Sequence, residues 1–304
     1  MPIRFLNLQS RLGASLFHIN TIYLFCKSDV GTTLIPVSTL AFTATPICLV
    51  NPVSHGVQAV FWLLLHLLQF NLSNQLYTVD EDRENHPYRP LASGRITFST
   101  TFTLRWISTV ACLILSFLYG RAVFAVSTLS SLFAFLYNET PLHKHWFFRA
   151  TLNALGYGAF KMGTIICVLA DCDHSTLDSV AASALLISMG IIWTTVYVQD
   201  FQDVVGDKLT ERVTLPLAYP NFSRIATFPA FLGWSVFVCY VWCLGRMIGT
   251  IIVLTATLAS TRFMLIRRVD SDKISYMWYN VWLWLCFMLP GYQRFNSLPI
   301  DQPR

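Results

Sequence analysis

Apolar residues run along this chain in long blocks, and polar residues collect in the gaps between them. A membrane-crossing helix needs about 20 mostly apolar residues. Nine blocks meet that length or approach it: 31–50, 56–76, 98–118, 121–138, 147–170, 179–203, 222–243, 245–266 and 275–292. The block containing "VQAVFWLLLHLLQFNL" is the plainest. One buried helix of a soluble core looks the same locally, but nine in one chain do not. The pattern predicts an all-α, polytopic membrane protein with about nine transmembrane helices. No polar linker divides the blocks, so one transmembrane domain is expected over 29–304. The stretch 1–28 is expected to be an amphipathic lead-in lying on the membrane. Arg4 and Arg11 interrupt its apolar character, and no small-residue cleavage site follows, which argues against a signal peptide.

Composition strengthens the membrane reading. The chain is 54% hydrophobic and 12% charged, against about 25% charged in an ordinary soluble protein. The net charge of +5 is therefore read as orientation rather than as nucleic-acid binding. Of the 21 Lys and Arg, fifteen fall on the face that holds the N-terminus and the even-to-odd loops. Four fall on the other face, and Arg105 and Lys161 lie inside blocks. The rich face is expected in the cytosol. Three glycosylation sequons, at Asn71, Asn138 and Asn221, lie on that face and are expected to stay unmodified. Cys48, Cys112, Cys167, Cys239, Cys243 and Cys286 sit in or beside the blocks without paired ligand spacing, as small buried hydrophobes do. Cys167, Asp171, Cys172, Asp173 and His174 offer metal ligands, but a polar loop between two spans is the simpler account.

Two polar stretches stand out against this background. "NQLYTVDEDRENHPYRPLASG" ends the second block and holds Asp80, Glu81, Asp82 and Glu84. On a continued helix, Asn74, Thr78, Glu81 and Asp82 share about a quadrant, and Asp80 points elsewhere. The helix is expected to stop before Pro87. "YVQDFQDVVGDKLTERVTLP" ends the sixth block. Its Asp200, Asp203 and Asp207, at i, i+3 and i+7, would share one helix face. Like charges so placed repel, and a divalent cation removes the penalty. Mg²⁺ is commonly held by a few carboxylates plus substrate phosphates. Each stretch alone reads as a solvated loop; two on the same side of the membrane favour a shared metal–diphosphate site. Lys144, Arg149, Lys161, Lys208 and Arg212 are single interface anchors or, together, neutralise a leaving diphosphate.

At these residues the sequence resembles the UbiA superfamily of membrane prenyltransferases. The first family motif, Asn-Asp-x-x-Asp-x-x-x-Asp, corresponds to Asn74, Gln75, Thr78 and Asp82. It is followed by Arg89, Pro90, Leu91 and Gly94. The second corresponds to Asp200, Asp203, Gly206 and Asp207, with Thr214, Leu215 and Pro216. Gln75 and Thr78 replace two aspartates, a departure that looks like the fungal branch containing membrane terpene cyclases. "LFCKSDVGTTLIP" and "LNALGYGAFKMG" look like that branch too.

The resemblance implies helices around a central cavity. It implies Mg²⁺ bridging Asn74, Glu81, Asp82, Asp200, Asp203 and Asp207, with Arg89 and the other bases on the diphosphate of a prenyl substrate. The substrate would be farnesyl diphosphate, and the membrane that of the endoplasmic reticulum. No obligate protein partner is implied.

What captures the resulting cation stays open. A cyclase uses the chain's own double bonds; a prenyltransferase uses an aromatic or lipid acceptor. A transporter or scaffold would reuse the fold without chemistry. Phe61, Phe70, Tyr157, Phe160, Trp193, Tyr197, Tyr279 and Trp282 are candidate cation-stabilising rings, although membrane proteins also place aromatics at interfaces.

Overall fold

A computed structural model describes residues 15–46, 52–170 and 177–296. The described residues form helices joined by short turns. Helix α1 covers 15–26 and runs through a 3₁₀ turn, Lys27–Asp29, and a π turn, Val30–Leu34, into α2, Ile35–Ala44. Then come α3 (Pro52–Tyr77), the short α4 (Val79–Asn85), α5 (Phe98–Tyr119), α6 (Arg121–Asn138) and α7 (Trp146–Val168). Helix α8 (Ser179–Thr195) ends in a 3₁₀ segment, Val196–Phe201. The short α9 (Val204–Leu209) and α10 (Leu215–Ala218) precede α11 (Pro220–Val241), α12 (Arg246–Leu265) and α13 (Val269–Asn296). Among the described residues, eight of the nine apolar blocks coincide with long helices; the first, 31–50, holds α2, and α1 occupies part of the stretch expected to be a lead-in. By length and composition, α3, α5, Ser179–Phe201, α11 and α12 qualify as membrane spans. The Cys–Asp–His cluster at 171–174 lies outside the described residues.

Local chemistry sets the helix ends. Thr97 accepts from the Thr100 N–H at 3.2 Å and caps α5, and Asp178 caps α8 through Ala181 N–H at 3.0 Å. Gly120 divides α5 from α6 at φ 124°, a conformation that side chains disfavour.

Helix α7 packs against α2, α3, α6 and α8, while α11, α12, α13 and α2 close the other half. Two apolar cores result, one around Trp62, Leu63 and Leu67, the other around Phe231, Phe263 and Trp282. Several polar groups inside are paired, as a membrane interior favours: Trp62 Nε1 donates to Ser116 Oγ at 2.8 Å, and His66 bridges Trp62 O and Ser127 Oγ. The outer surface instead carries large apolar side chains such as Phe117, Leu118, Tyr240 and Met247. The buried Arg105 pairs with Glu139, and Arg224 forks onto Asp272 at 2.6 and 2.7 Å, tying α11 to α13.

Candidate active site

The two acidic stretches meet. Neither is the continuous helix that their spacing suggested. Thr78 leaves helical geometry at φ −122°, ψ 22°, so α3 ends there and α4 begins as a separate helix. Its hydroxyl donates to Asn74 O at 2.9 Å and to Asp82 Oδ2 at 3.2 Å. In the second stretch Asp200 belongs to the 3₁₀ segment, Asp203 is the residue before α9, and Asp207 lies within α9. The three aspartates are brought together by a bend rather than by one helix face. The helix does stop before Pro87, with His86 at its end.

Gly206 allows the approach. A Cβ there would lie 2.3 Å from Asn85 Nδ2 and 2.9 Å from Glu81 Cγ. Any larger residue there would require Asn85 and Glu81 to shift.

Three arginines hold the carboxylates. Arg89 Nη1 donates to Asp82 Oδ1 at 2.7 Å. Arg149 contacts Asp200 Oδ1 through Nε and Nη2 at 3.2 and 2.9 Å. Arg212 bridges the motifs, reaching Glu81 at 2.7 Å and Asp207 at 3.2 Å. Asp203 has no arginine; its nearest cationic candidate is His86 Nε2 at 3.9 Å. Burial, with the charges of Asp200, Asp207 and Glu81, pushes the Asp203 carboxyl up to about 7. Burial likewise raises Asp82 to about 6 despite Arg89. Burial, helped by Arg89 and Lys273, lowers His86 to about 4 and keeps it neutral.

Among the described residues, no three His, Cys, Asp or Glu side chains already converge as a formed metal cage. The donor set nevertheless fits a hard divalent cation. It is all oxygen, Asp207 Oδ2 is buried without a hydrogen-bond partner, and Asp203 faces carboxylates that repel it. Asn74 Nδ2 donates to Asn138 Oδ1 at 3.0 Å, leaving its own oxygen to accept.

A cavity runs from this head into the bundle. Asn74, Glu81, Arg89, Arg149, Asp203 and Arg212 line the head, and Leu67, Phe70, Phe133, Leu152, Tyr157 and Phe160 line the body. Other expected residues lie elsewhere. Lys144 and Lys208 are exposed and outside the cavity lining. Lys161 is fully buried beyond the head, its Nζ 4.1 Å from the Phe287 ring centre and without a hydrogen bond. Asp80 is solvent-facing and pairs with Arg83. Phe61 is half exposed, and Tyr279 and Trp282 belong to the packed core around Phe231. Trp193 and Tyr197 line a different cavity.

Sequence reasoning missed Asp29, His86, Tyr137 and Asn153, all of which line the cavity. Only Asp29 carried a signal, as an ionisable residue bordering an apolar block. Of the sequons, Asn71 and Asn138 are buried, so neither side chain is open to a glycan.

A model described as the UbiA prenyltransferase family matches residues 33–285. The fumagillin beta-trans-bergamotene synthase of Aspergillus fumigatus is 29% identical, over 92% of this chain and 94% of its own. A polyprenyl transferase of Hericium erinaceus is 27% identical, over 89% and 93%. Among solved structures, a digeranylgeranylglyceryl phosphate synthase superposes with a TM-score of 0.63 at 17% identity, over 90% of this chain and 98% of its own. A UbiA homologue from Archaeoglobus fulgidus bound to DMAPP and Mg²⁺ superposes with a TM-score of 0.60 at 13% identity, over 91% and 99%.

Proposed function

This chain belongs to the UbiA prenyltransferase family, and from that premise we propose that it is a Mg²⁺-dependent membrane terpene cyclase. Its substrate in this reading is a prenyl diphosphate, farnesyl diphosphate foremost, and its product a cyclic sesquiterpene of the bergamotene kind. The chain is an integral membrane protein; the reading puts it in the endoplasmic reticulum with both acidic motifs toward the cytosol. The observation that carries the proposal is one cavity whose head is lined by carboxylates and arginines and whose body is lined by aromatic and aliphatic side chains. Similarity to a terpene synthase along nearly the whole chain supports cyclisation. Comparable similarity to a polyprenyl transferase supports the second reading, transfer to an aromatic or lipid acceptor.

When bound by Asn74, Glu81, Asp82, Asp200, Asp203 and Asp207, Mg²⁺ supplies charge neutralisation to the leaving diphosphate. Arg89, Arg149 and Arg212 present fixed N–H groups to the same oxygens, as preorganised stabilisers of developing charge. The C1–O bond breaks with both electrons going to the diphosphate, and an allylic cation remains. Phe70, Phe133, Tyr157 and Phe160 exclude water along the body, and ring faces such as Tyr157 and Phe160 stabilise the cation. A double bond of the same chain then attacks, and proton loss yields an uncharged hydrocarbon.

The test is incubation of membranes with Mg²⁺ and farnesyl diphosphate alone. A volatile hydrocarbon appearing with diphosphate is the expected result. Product formed only after an acceptor is added would transfer the assignment to the second reading. No diphosphate release from prenyl diphosphates of any length, with or without acceptor, would remove both.

A further inference from the structure

A second cavity of about 250 Å³ adjoins the carboxylate-headed one, which measures about 160 Å³. It lies between α7, the end of α8 and α11. Trp146, Phe147, Trp193, Tyr197 and Phe222 supply its aromatic wall. Helix α11 adds Ala226 and Ala230, one turn apart, so that side of the space is left unfilled. Phe147, Trp193 and Phe222 are 41%, 46% and 63% exposed. They stand near the ends of α7, α8 and α11 on the side of the acidic motifs, so the mouth opens at the level of those helix ends.

The two cavities share Arg149, Asn153 and Gln199, and Asp200 faces the second. The Arg149–Asp200 pair, at 2.9 Å, therefore stands in the wall between them. These are the only ionic groups lining the second cavity among the described residues, and each neutralises the other. A charged occupant would find no partner there, and burying an unpaired charge is costly. The remaining surface is mainly aromatic and aliphatic, which favours a hydrocarbon.

We propose that this second cavity binds an uncharged, predominantly hydrocarbon molecule, with the Arg149–Asp200 pair in the wall that it shares with the substrate cavity. The inference rests on the reading that the first cavity ionises a prenyl diphosphate. Two sources share this chemistry. A cyclised product reaches the cavity from within, and a lipophilic acceptor reaches it from the bilayer. Trp193 and Tyr197, which sequence reasoning assigned to the cation, here contact the neutral molecule instead.

The experiment uses the full chain in lipid nanodiscs with a diazirine-bearing C15 hydrocarbon that carries no diphosphate. Crosslinks are mapped by mass spectrometry. Labelling should concentrate in 193–199 and 222–230. It should persist when a non-ionising thiolodiphosphate analogue of farnesyl diphosphate fills the first cavity with Mg²⁺. It should fall at least about fivefold in Ala230→Trp and in Ala226→Phe, because the new rings occupy the unfilled space. Two variants are used, each with a thermal-unfolding control, so that a misfolded one does not decide the result. A diazirine-bearing lipophilic phenol runs in parallel: stronger labelling by the hydrocarbon assigns the product, and stronger labelling by the phenol assigns the acceptor. Labelling that the analogue erases, or that spreads evenly over the lipid-facing sides of α5 and α12, overturns the proposal. Wild-type diphosphate release, measured on the same sample, judges the first cavity separately.

Discussion

Gly206→Ala is the smallest change that should disable the site. The added methyl would sit 2.3 Å from Asn85 Nδ2 and 2.9 Å from Glu81 Cγ, where ordinary contacts begin near 3.4 Å. Relief of the first clash alone calls for a movement of about 1 Å, or for Asn85 to swing away. The second persists at about half an ångström, because Glu81 is held by Arg212. A misplacement of about 1 Å in a catalytic constellation costs on the order of 100-fold in rate. Overpacking itself costs about 1–3 kcal/mol, which a well-packed bundle tolerates. The variant should therefore insert and purify like the wild type yet release diphosphate about 100-fold more slowly. Combining it with Asn85→Ala removes the 2.3 Å contact and should restore about tenfold of that loss. Diphosphate release from farnesyl diphosphate under saturating Mg²⁺ is the assay, with thermal unfolding as the control. Activity within twofold of wild type would show that turnover does not need α9 and α4 to stand at this separation.

Other consequences can be checked alongside. Asp203→Ala and Asp207→Ala should each abolish turnover; near-normal activity in either removes its metal role. Thr78 lines the cavity beside Asp82, so Thr78→Asp should change the Mg²⁺ titration, and an unchanged titration would exclude that position from the metal. A carboxyl held up at about 7 is mostly protonated at pH 6, and a cation must displace that proton. Divalent-ion affinity should thus rise between pH 6 and 8 and level off above, and Asp203→Asn should flatten the rise. Asp272→Ala leaves Arg224 buried without its fork and should destabilise the fold by about 3–5 kcal/mol, readable as lost thermal stability; no loss would mean that Arg224 finds another partner.

The helices were legible because a membrane interior enforces long apolar blocks, and α6, for instance, follows its block at both ends. The site was legible only in part. Its carboxylates announced themselves as charge in an apolar chain, and Asp80, expected to point elsewhere, faces solvent. The bends that unite them, at Thr78 and after Phe201, were not, because tertiary contacts there override helical continuation. Asp29, His86, Tyr137 and Asn153 come from four separate segments, and no local pattern links them. Depth along a helix was the other gap. Lys161 shares a face of α7 with Tyr157 one turn earlier, yet it lies over the Phe287 ring, outside the cavity lining that includes Tyr157. Trp193 sits on the far side of Arg149 from the body.

Six carboxyl groups either line the head (Asp29, Glu81 and Asp203) or pair with its three guanidinium groups, Arg89, Arg149 and Arg212 (Asp82, Asp200 and Asp207). With all ionised, six negative and three positive charges leave a formal −3. In that fully ionised state a polyanionic substrate arriving alone would meet net repulsion, which low-dielectric surroundings amplify. Arriving with divalent cations, it meets attraction. Occupancy by substrate and by cation should thus be thermodynamically coupled, each raising the other's affinity by the same factor. The head then acts as a coincidence detector that admits the diphosphate only with its counter-ions.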